Sequence, residues 1–347
     1  MLKIILMFPF THYLRGEVML KEHYLAWYRQ FRNQLDAMRN VVIKKLSEKP
    51  RAIVISGMGG SGIVGDLYQV IALEKLDIPV FTIKDYALPK WVSKHDLVVP
   101  ISYSGNTLET IECFKQALNV GAKVIAISSG GKLENLAKEN NVPHVRVIKG
   151  LVPRVSLPSM FVALSKSLNM VLGENVVEVE EFEETIDLLE HGVDYVEVEE
   201  IASHVENTLP IIVGCIKYAP LAIRFKNELN ENSKIPAKVE IVPEWGHNDI
   251  VGWEQPYFRK FSALILREKK AKDRKCIAIL DYVTKYFEKS GVKTLTVEIK
   301  GESTVAQMLY GSLIAGLVST ELAYRRNIDP LETKSISEYK KYFATLF

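Results

Sequence analysis

The sequence predicts an α/β protein built from two doubly wound parallel sheets, each flanked by helices. Three observations carry this. Short runs rich in Val and Ile, at 52–57, 78–83, 97–102, 123–128 and 144–148, alternate with helix-length segments. Near-continuous apolar strands of this kind belong to parallel sheets covered on both faces. The pattern restarts near residue 210, where "PIIVG" resembles "AIVISG" and "KVEIV" answers "IPVFTI". Finally, 347 residues at 48% hydrophobic content can bury a large core and suffice for two domains.

The elements follow in order. "MLKIILMFPFTHYL" holds an apolar run of about seven residues after Lys3, at the bottom of the range for a signal segment. No small-residue cleavage site follows it, and Met19 stands just before the first helical pattern. Residues 1–20 are therefore set apart as an N-terminal extension. Apolar spacing of three and four over 22–46 predicts one or two helices. The first domain, 21–175, contains the five strands and closes with a helix at 158–172. The acidic stretch 174–191 reads as a solvated helix, so 176–195 is taken as a junction.

The second domain, 196–347, repeats the unit. Gly57 to Val80 spans 23 positions and Gly214 to Val239 spans 25, the regularity of a structural repeat. "FSALILRE" (261–268) matches "LVVPISYS", and "KTLTVEI" (293–299) follows a long helix. "REKKAKDRK" (267–275) reads as an exposed insertion. Helices at 305–326 and 336–347 end the chain.

Composition excludes several functions. The net charge is +2 with the signs well mixed, which gives no nucleic-acid surface. No apolar run approaches the ~20 residues of a membrane span. Cys113, Cys215 and Cys276 are odd in number and widely spaced, as reduced cytosolic thiols are, and the expected location is cytoplasmic. The His residues show no HxxxH spacing and the Cys residues no CxxC, so neither a metal nor a cofactor is expected.

Ligands of open parallel sheets bind at the carboxyl ends of the strands. There "SGMGGSGIVGDL" (56–67) carries four closely spaced glycines around Ser61, and "SYSGNT" (102–107) carries three Ser and Thr hydroxyls before a helix. The spacing "GMGGSG" departs from the dinucleotide fingerprint, although Asp85 follows the second strand, and no GxxxxGK[ST] occurs. A strand, a small polar loop and a helix N-terminus form a ready anion site. Ser104 or Thr107 serves equally as an N-cap. Hydroxyls and N–H groups at neighbouring strand ends, without Lys or Arg, suit the phosphomonoester of a small molecule.

At these residues the sequence resembles the sugar isomerase (SIS) domain family, whose phosphosugar site is built from this hydroxyl loop. Two tandem SIS domains, each a flavodoxin-like sandwich, resemble the archaeal-type bifunctional phosphoglucose/phosphomannose isomerases across 20–347. The strings "NENSK" (230–234) and "GHNDIVGWE" (246–254) are similar to that family's signatures. The resemblance implies a hexose 6-phosphate held by Gly60, Ser61, Ser102, Ser104 and Thr107. It implies Glu231 as the base moving a proton between C1 and C2, and His247, supplied by a partner subunit, in ring opening. It implies a homodimer with intersubunit sites.

Arg154 in "GLVPRVSLPS" is either a surface turn residue or a guanidinium facing the enediolate oxygens; the family has an Arg in this segment. Thr333 and Lys340, seven apart, share a face of the C-terminal helix. The resemblance sets them near the site, Thr333 for substrate and Lys340 among the catalytic groups, whereas residue type alone reads as an N-cap and a solvated lysine. Two other classes stay open, a phosphosugar sensor and an aminosugar-phosphate isomerase.

Overall fold

The computed structural model describes residues 20–256, 260–270 and 273–344. The expected N-terminal extension lies outside them except for Leu20, as do residues 271–272 of the basic insertion. The first unit comprises α1 (Leu20–Leu25), α2 (Trp27–Met38), β1 (Ile53–Ser56), α3 (Gly59–Lys75), β2 (Val80–Ile83), β3 (Leu97–Ser102), α4 (Leu108–Asn119), β4 (Lys123–Val124), β5 (Ala126–Ser128), α5 (Gly131–Glu139), β6 (His144–Arg146) and α6 (Leu157–Leu172). Then come α7 (Val179–His191), α8 (Tyr195–Val205), β7 (Leu209–Cys215), α9 (Ala219–Glu231), β8 (Lys238–Val242), β9 (Phe261–Glu268), α10 (Arg274–Lys289), β10 (Lys293–Ile299), α11 (Thr304–Arg325) and α12 (Lys334–Ala344).

The first sheet has the order β2-β1-β3-β5-β6 with β4 beside β3, and the second β10-β9-β7-β8. All pairings are parallel. In each unit the second strand lies outside the first and the third on its other side, so the predicted repeat is also a repeat of topology. The run 123–128 divides into β4 and β5. The register offset of 26 sets Ala126 opposite Pro100, and a proline has no N–H for the ladder.

Alternation along the strands distributes the core. Ile53, Ile55, Val99 and Ile101 face one large cluster that continues through α2, α3, α6, α9 and α11 to Ile212, Leu264 and Leu266 of the second sheet. Their neighbours Val54 and Val98 face outward, packing with Phe114 and Leu133. Ile211, Val213, Ala263 and Ile265 likewise pack with Val283 and Phe287 of α10. The helical segment Pro153–Leu172, which ends in α6, and α11 are apolar and long enough to cross a membrane, but 89% and 94% of their apolar windows are buried here; they are core helices. The acidic segment forms α7, which buries Phe182, Thr185 and Leu189 and pairs Glu181 with Lys75 and Glu190 with Arg32.

Two expectations are corrected. The helical pattern of 22–46 stops at Met38, and the residues after it are non-helical, Leu46 N–H bonding to Val171 O at 2.9 Å. Cys215 and Cys276 are a disulfide, with Cα atoms 6.1 Å apart, rather than reduced thiols. Sequence spacing conceals it because parallel topology brings the end of β7 to the first turn of α10.

Candidate active site

The "GMGGSG" segment is not a loop throughout: α3 begins at Gly59, so Gly60 and Ser61 form its first turn. A Cβ on Gly60 would stand 3.0 Å from Pro153 O, so glycine lets α3 press against the turn that carries Arg154. Ser61 is buried. Its Oγ accepts Tyr103 N–H at 3.0 Å, tying the glycine-rich turn to the hydroxyl loop.

That loop is internally braced. Ser102 Oγ donates to Thr107 Oγ1 at 2.9 Å and accepts Thr107 N–H at 3.4 Å. Ser104 is exposed, and its Oγ accepts Asn106 N–H at 3.2 Å. Gly105 has φ +68°, and a Cβ there would lie 1.7 Å from Gly130 O. Thr107 occupies the N-cap of α4, yet its side chain caps no backbone N–H. The capping alternative is thereby removed for Thr107. The first-turn N–H groups of α4 stay available to an anion.

Arg154 follows β6 in the 3-10 turn Pro153–Ser156 and is 4% exposed. Its Nη1 approaches Glu231 Oε2 at 3.4 Å, Nε donates to Asn232 Oδ1 at 2.6 Å, and Nη2 donates to Pro330 O at 2.7 Å. The surface-turn alternative for Arg154 does not hold. Glu231 is the last residue of α9, which runs back against its sheet, so this carboxylate lies at the amino edge of the second sheet. Arg154 and the hydroxyl loop lie at the carboxyl edge of the first. The two edges meet here.

Behind Glu231 is a buried polar cluster. Glu228 pairs with Arg224 and accepts from Tyr24 Oη and Asn232 Nδ2, the latter at 2.7 Å. Burial pushes the Glu228 carboxyl up against the opposing pull of Arg224, and it pushes the Tyr24 hydroxyl well up. Lys234 donates to the carbonyls of Glu231 at 2.6 Å and Asp329 at 3.2 Å, and burial lowers its ammonium.

His247 is elsewhere in the chain. It ends the 3-10 turn Glu244–His247 beyond the carboxyl end of β8, whereas Glu231 precedes the amino end of that strand. The four steps of β8 amount to ~13 Å of strand. His247 is exposed, on a loop pinned by buried Trp245 and Trp253. Trp253 Nε1 donates to Glu240 at 3.1 Å, and its ring meets Phe287 edge-on at 4.9 Å.

Thr333 immediately precedes α12, and its C=O accepts Ser337 N–H at 3.2 Å; Lys340 is exposed on that helix. The segment is anchored at both ends on the site side: Pro330 by Arg154, and Phe343 by its stack on Tyr86, 6.3 Å between centroids. In the second unit the corresponding strand end is filled. Tyr218 Oη donates to Gln307 at 3.0 Å, and Gln307 Nε2 donates to Glu268 at 2.8 Å. Sequence reading missed Asn232, Glu228 and Tyr24; the second Asn of "NENSK" was the only available signal.

With one braced hydroxyl loop beside an Arg–Glu pair, comparison with known proteins becomes decisive. A bifunctional phosphoglucose/phosphomannose isomerase of Aquifex aeolicus is 37% identical over 295 residues, 84% of this chain and 90% of that protein. The chain belongs to the bifunctional phosphoglucose/phosphomannose isomerase family. A member from Aeropyrum pernix is 34% identical over 93% of this chain and 97% of its own. The SIS domain family matches residues 45–164, and the bacterial phospho-glucose isomerase C-terminal SIS domain matches 196–343. The C-terminal domain of glucosamine-fructose-6-phosphate aminotransferase from Francisella tularensis has the same fold, with TM-score 0.69 at 14% identity over 90% of this chain and 98% of that one.

Proposed function

We propose that this protein interconverts glucose 6-phosphate, mannose 6-phosphate and fructose 6-phosphate by metal-free proton transfer through a cis-enediolate. The observation that carries it is the approach of Arg154 to Glu231 at 3.4 Å beside the hydroxyl loop. Gly60, Ser61, Ser102, Ser104 and Thr107 form the phosphate cradle, Ser61 as the strut between its halves.

His247 of a second copy assists ring opening. The Glu231 carboxylate then takes the C2 proton of the open-chain aldose; C1=O becomes the enediolate oxygen, and Arg154 holds its charge. Glu231 returns the proton to C1 while the O2 proton passes to O1, giving the ketose. A planar C2 can be protonated from either face, which admits both epimers. Thr333 and Lys340 close the sugar side of the cleft. The working unit is a homodimer, with domains 21–175 and 196–347 joined through 176–195.

The test is turnover of fructose 6-phosphate in D2O by chelator-treated protein without an amino donor. Formation of both aldoses, with deuterium at C2, is expected. Turnover only with an amino donor supports the aminosugar class, and binding without turnover a sensor; either outcome sinks the proposal.

A further inference from the structure

Asn232, completely buried behind Glu231, has every polar atom of its side chain engaged. Oδ1 accepts Arg154 Nε–H at 2.6 Å. Nδ2 lies 2.7 Å from Glu228 Oε2, 2.9 Å from Ser319 Oγ and 3.1 Å from Tyr24 Oη. The amide orientation is set by chemistry, since a guanidinium can only donate and a carboxylate accepts. Its partners come from four places in the fold: α1, α9, α11 and the turn after β6. The same cluster also fixes the Arg154 backbone, because Arg224, paired with Glu228, donates to Arg154 O at 2.6 Å.

A guanidinium is a rigid planar fork. With Nε held by Asn232 and Nη2 by Pro330 O at 2.7 Å, the direction of Nη1 is determined. It faces Glu231. Pro330 alone would leave the fork free to swing about one contact. Glutamate could not replace Asn232 here without setting a second carboxylate against Glu228, and leucine would leave Arg154 Nε–H without an acceptor.

We infer that Asn232 is a positioning residue for the isomerisation, aiming Nη1 of Arg154 at the Glu231 carboxylate and at the sugar oxygens before it, while touching no substrate. Tyr24, Glu228 and Ser319 hold the Asn232 amide in turn, so helix α1 bears on the site through a single hydroxyl. The inference rests on the roles of Arg154 and Glu231 proposed above and adds the residue through which the first is controlled.

A double-mutant cycle tests it. Asn232→Ala, Arg154→Ala and the double variant are assayed for kcat and KM with fructose 6-phosphate. Asn232→Ala is expected to lower kcat about ten-fold with KM within about two-fold, the loss expected of a mis-aimed charge. The double variant should fall no further than Arg154→Ala, because Asn232 has then lost the group it acts through. Wild-type kcat in Asn232→Ala, or losses that multiply in the double variant, overturn the inference alone. Wild-type kcat in Arg154→Ala overturns the arginine's role and the inference with it. If Asn232→Ala does not fold, Tyr24→Phe removes one hydroxyl from the same cluster. A kcat about three-fold lower at unchanged KM then supports the inference, and an unchanged kcat overturns it.

Discussion

Arg154 Nη1 and Glu231 Oε2 stand 3.4 Å apart although 77 positions separate them in the chain. The arginine side chain is 5% exposed and the glutamate 29%. This contact is longer than a normal charged hydrogen bond, so the carboxylate is attracted but not locked, which suits the role of base proposed for it.

Replacement of Glu231 by Gln keeps the size and removes the carboxylate proposed as the base. Turnover should fall at least ~10²-fold while phosphosugar affinity is retained. Steady-state rates and equilibrium binding measured on one preparation check it; a near-normal rate would remove Glu231 from the mechanism.

Ser104→Ala combined with Thr107→Ala should weaken hexose 6-phosphate binding by ~1–3 kcal/mol per lost bond to a charged acceptor. Binding of unphosphorylated fructose should hardly change. Calorimetry with both ligands decides, and equal weakening would show that the loop holds something other than phosphate.

Glu231 precedes β8 and His247 follows it, so the proposal draws the two from different chains. Mixed dimers of Glu231→Gln and His247→Ala chains should then hold one intact site each. About half the dimers are mixed under random exchange, so roughly a quarter of sites recover. Verified exchange without any activity would confine both residues to one chain.

The Cys215–Cys276 bond closes a span of 61 residues, for which chain entropy allows about 4 kcal/mol of stabilisation. Cys215→Ser should melt lower than the parent without reductant and alike with it. Thiol titration of the denatured, unreduced parent should find Cys113 alone; three reactive thiols would contradict the disulfide.

Glu134 is bound by Lys138 and Arg146, and these bonds, that to Lys138 foremost, hold its carboxyl down to about 2 against the effect of burial. The unfolded carboxyl titrates near ~4.3. A depressed acid stabilises the fold above that value, and the gain is lost as pH falls toward 2. Both cations are largely exposed, so screening limits the effect to about 1 kcal/mol. Glu134→Gln should lower the melting temperature at pH 7, with the gap closing below pH ~3; a gap constant with pH would refute the pairing.

Much of this was legible in the chain. The strands, their alternation and the repeat follow from local patterns, whereas the division of 123–128 opposite Pro100 was not read from them. The strand, hydroxyl loop and helix N-terminus around "SYSGNT" were legible because the loop's features lie within six residues. The Asn232 cluster was not legible, since Tyr24, Glu228 and Ser319 meet only after both units have docked. Nor was the disulfide, whose halves lie on elements that parallel topology alone brings together. Ser61 looked like a ligand group, and its bond to Tyr103 N–H shows that a hydroxyl in a binding loop also serves as a brace.

The meeting of two sheet edges at the Arg154–Glu231 pair makes turnover a gauge of alignment. A slip of one ångström between the units would leave every helix and strand intact, yet misplacement on that scale can reduce a rate ~10²-fold. On warming, the catalytic rate should therefore vanish while the circular dichroism still looks native. A stabilising substitution in either core would raise the melting point without extending the temperature range in which the enzyme works, whereas one that tightens the junction would extend it.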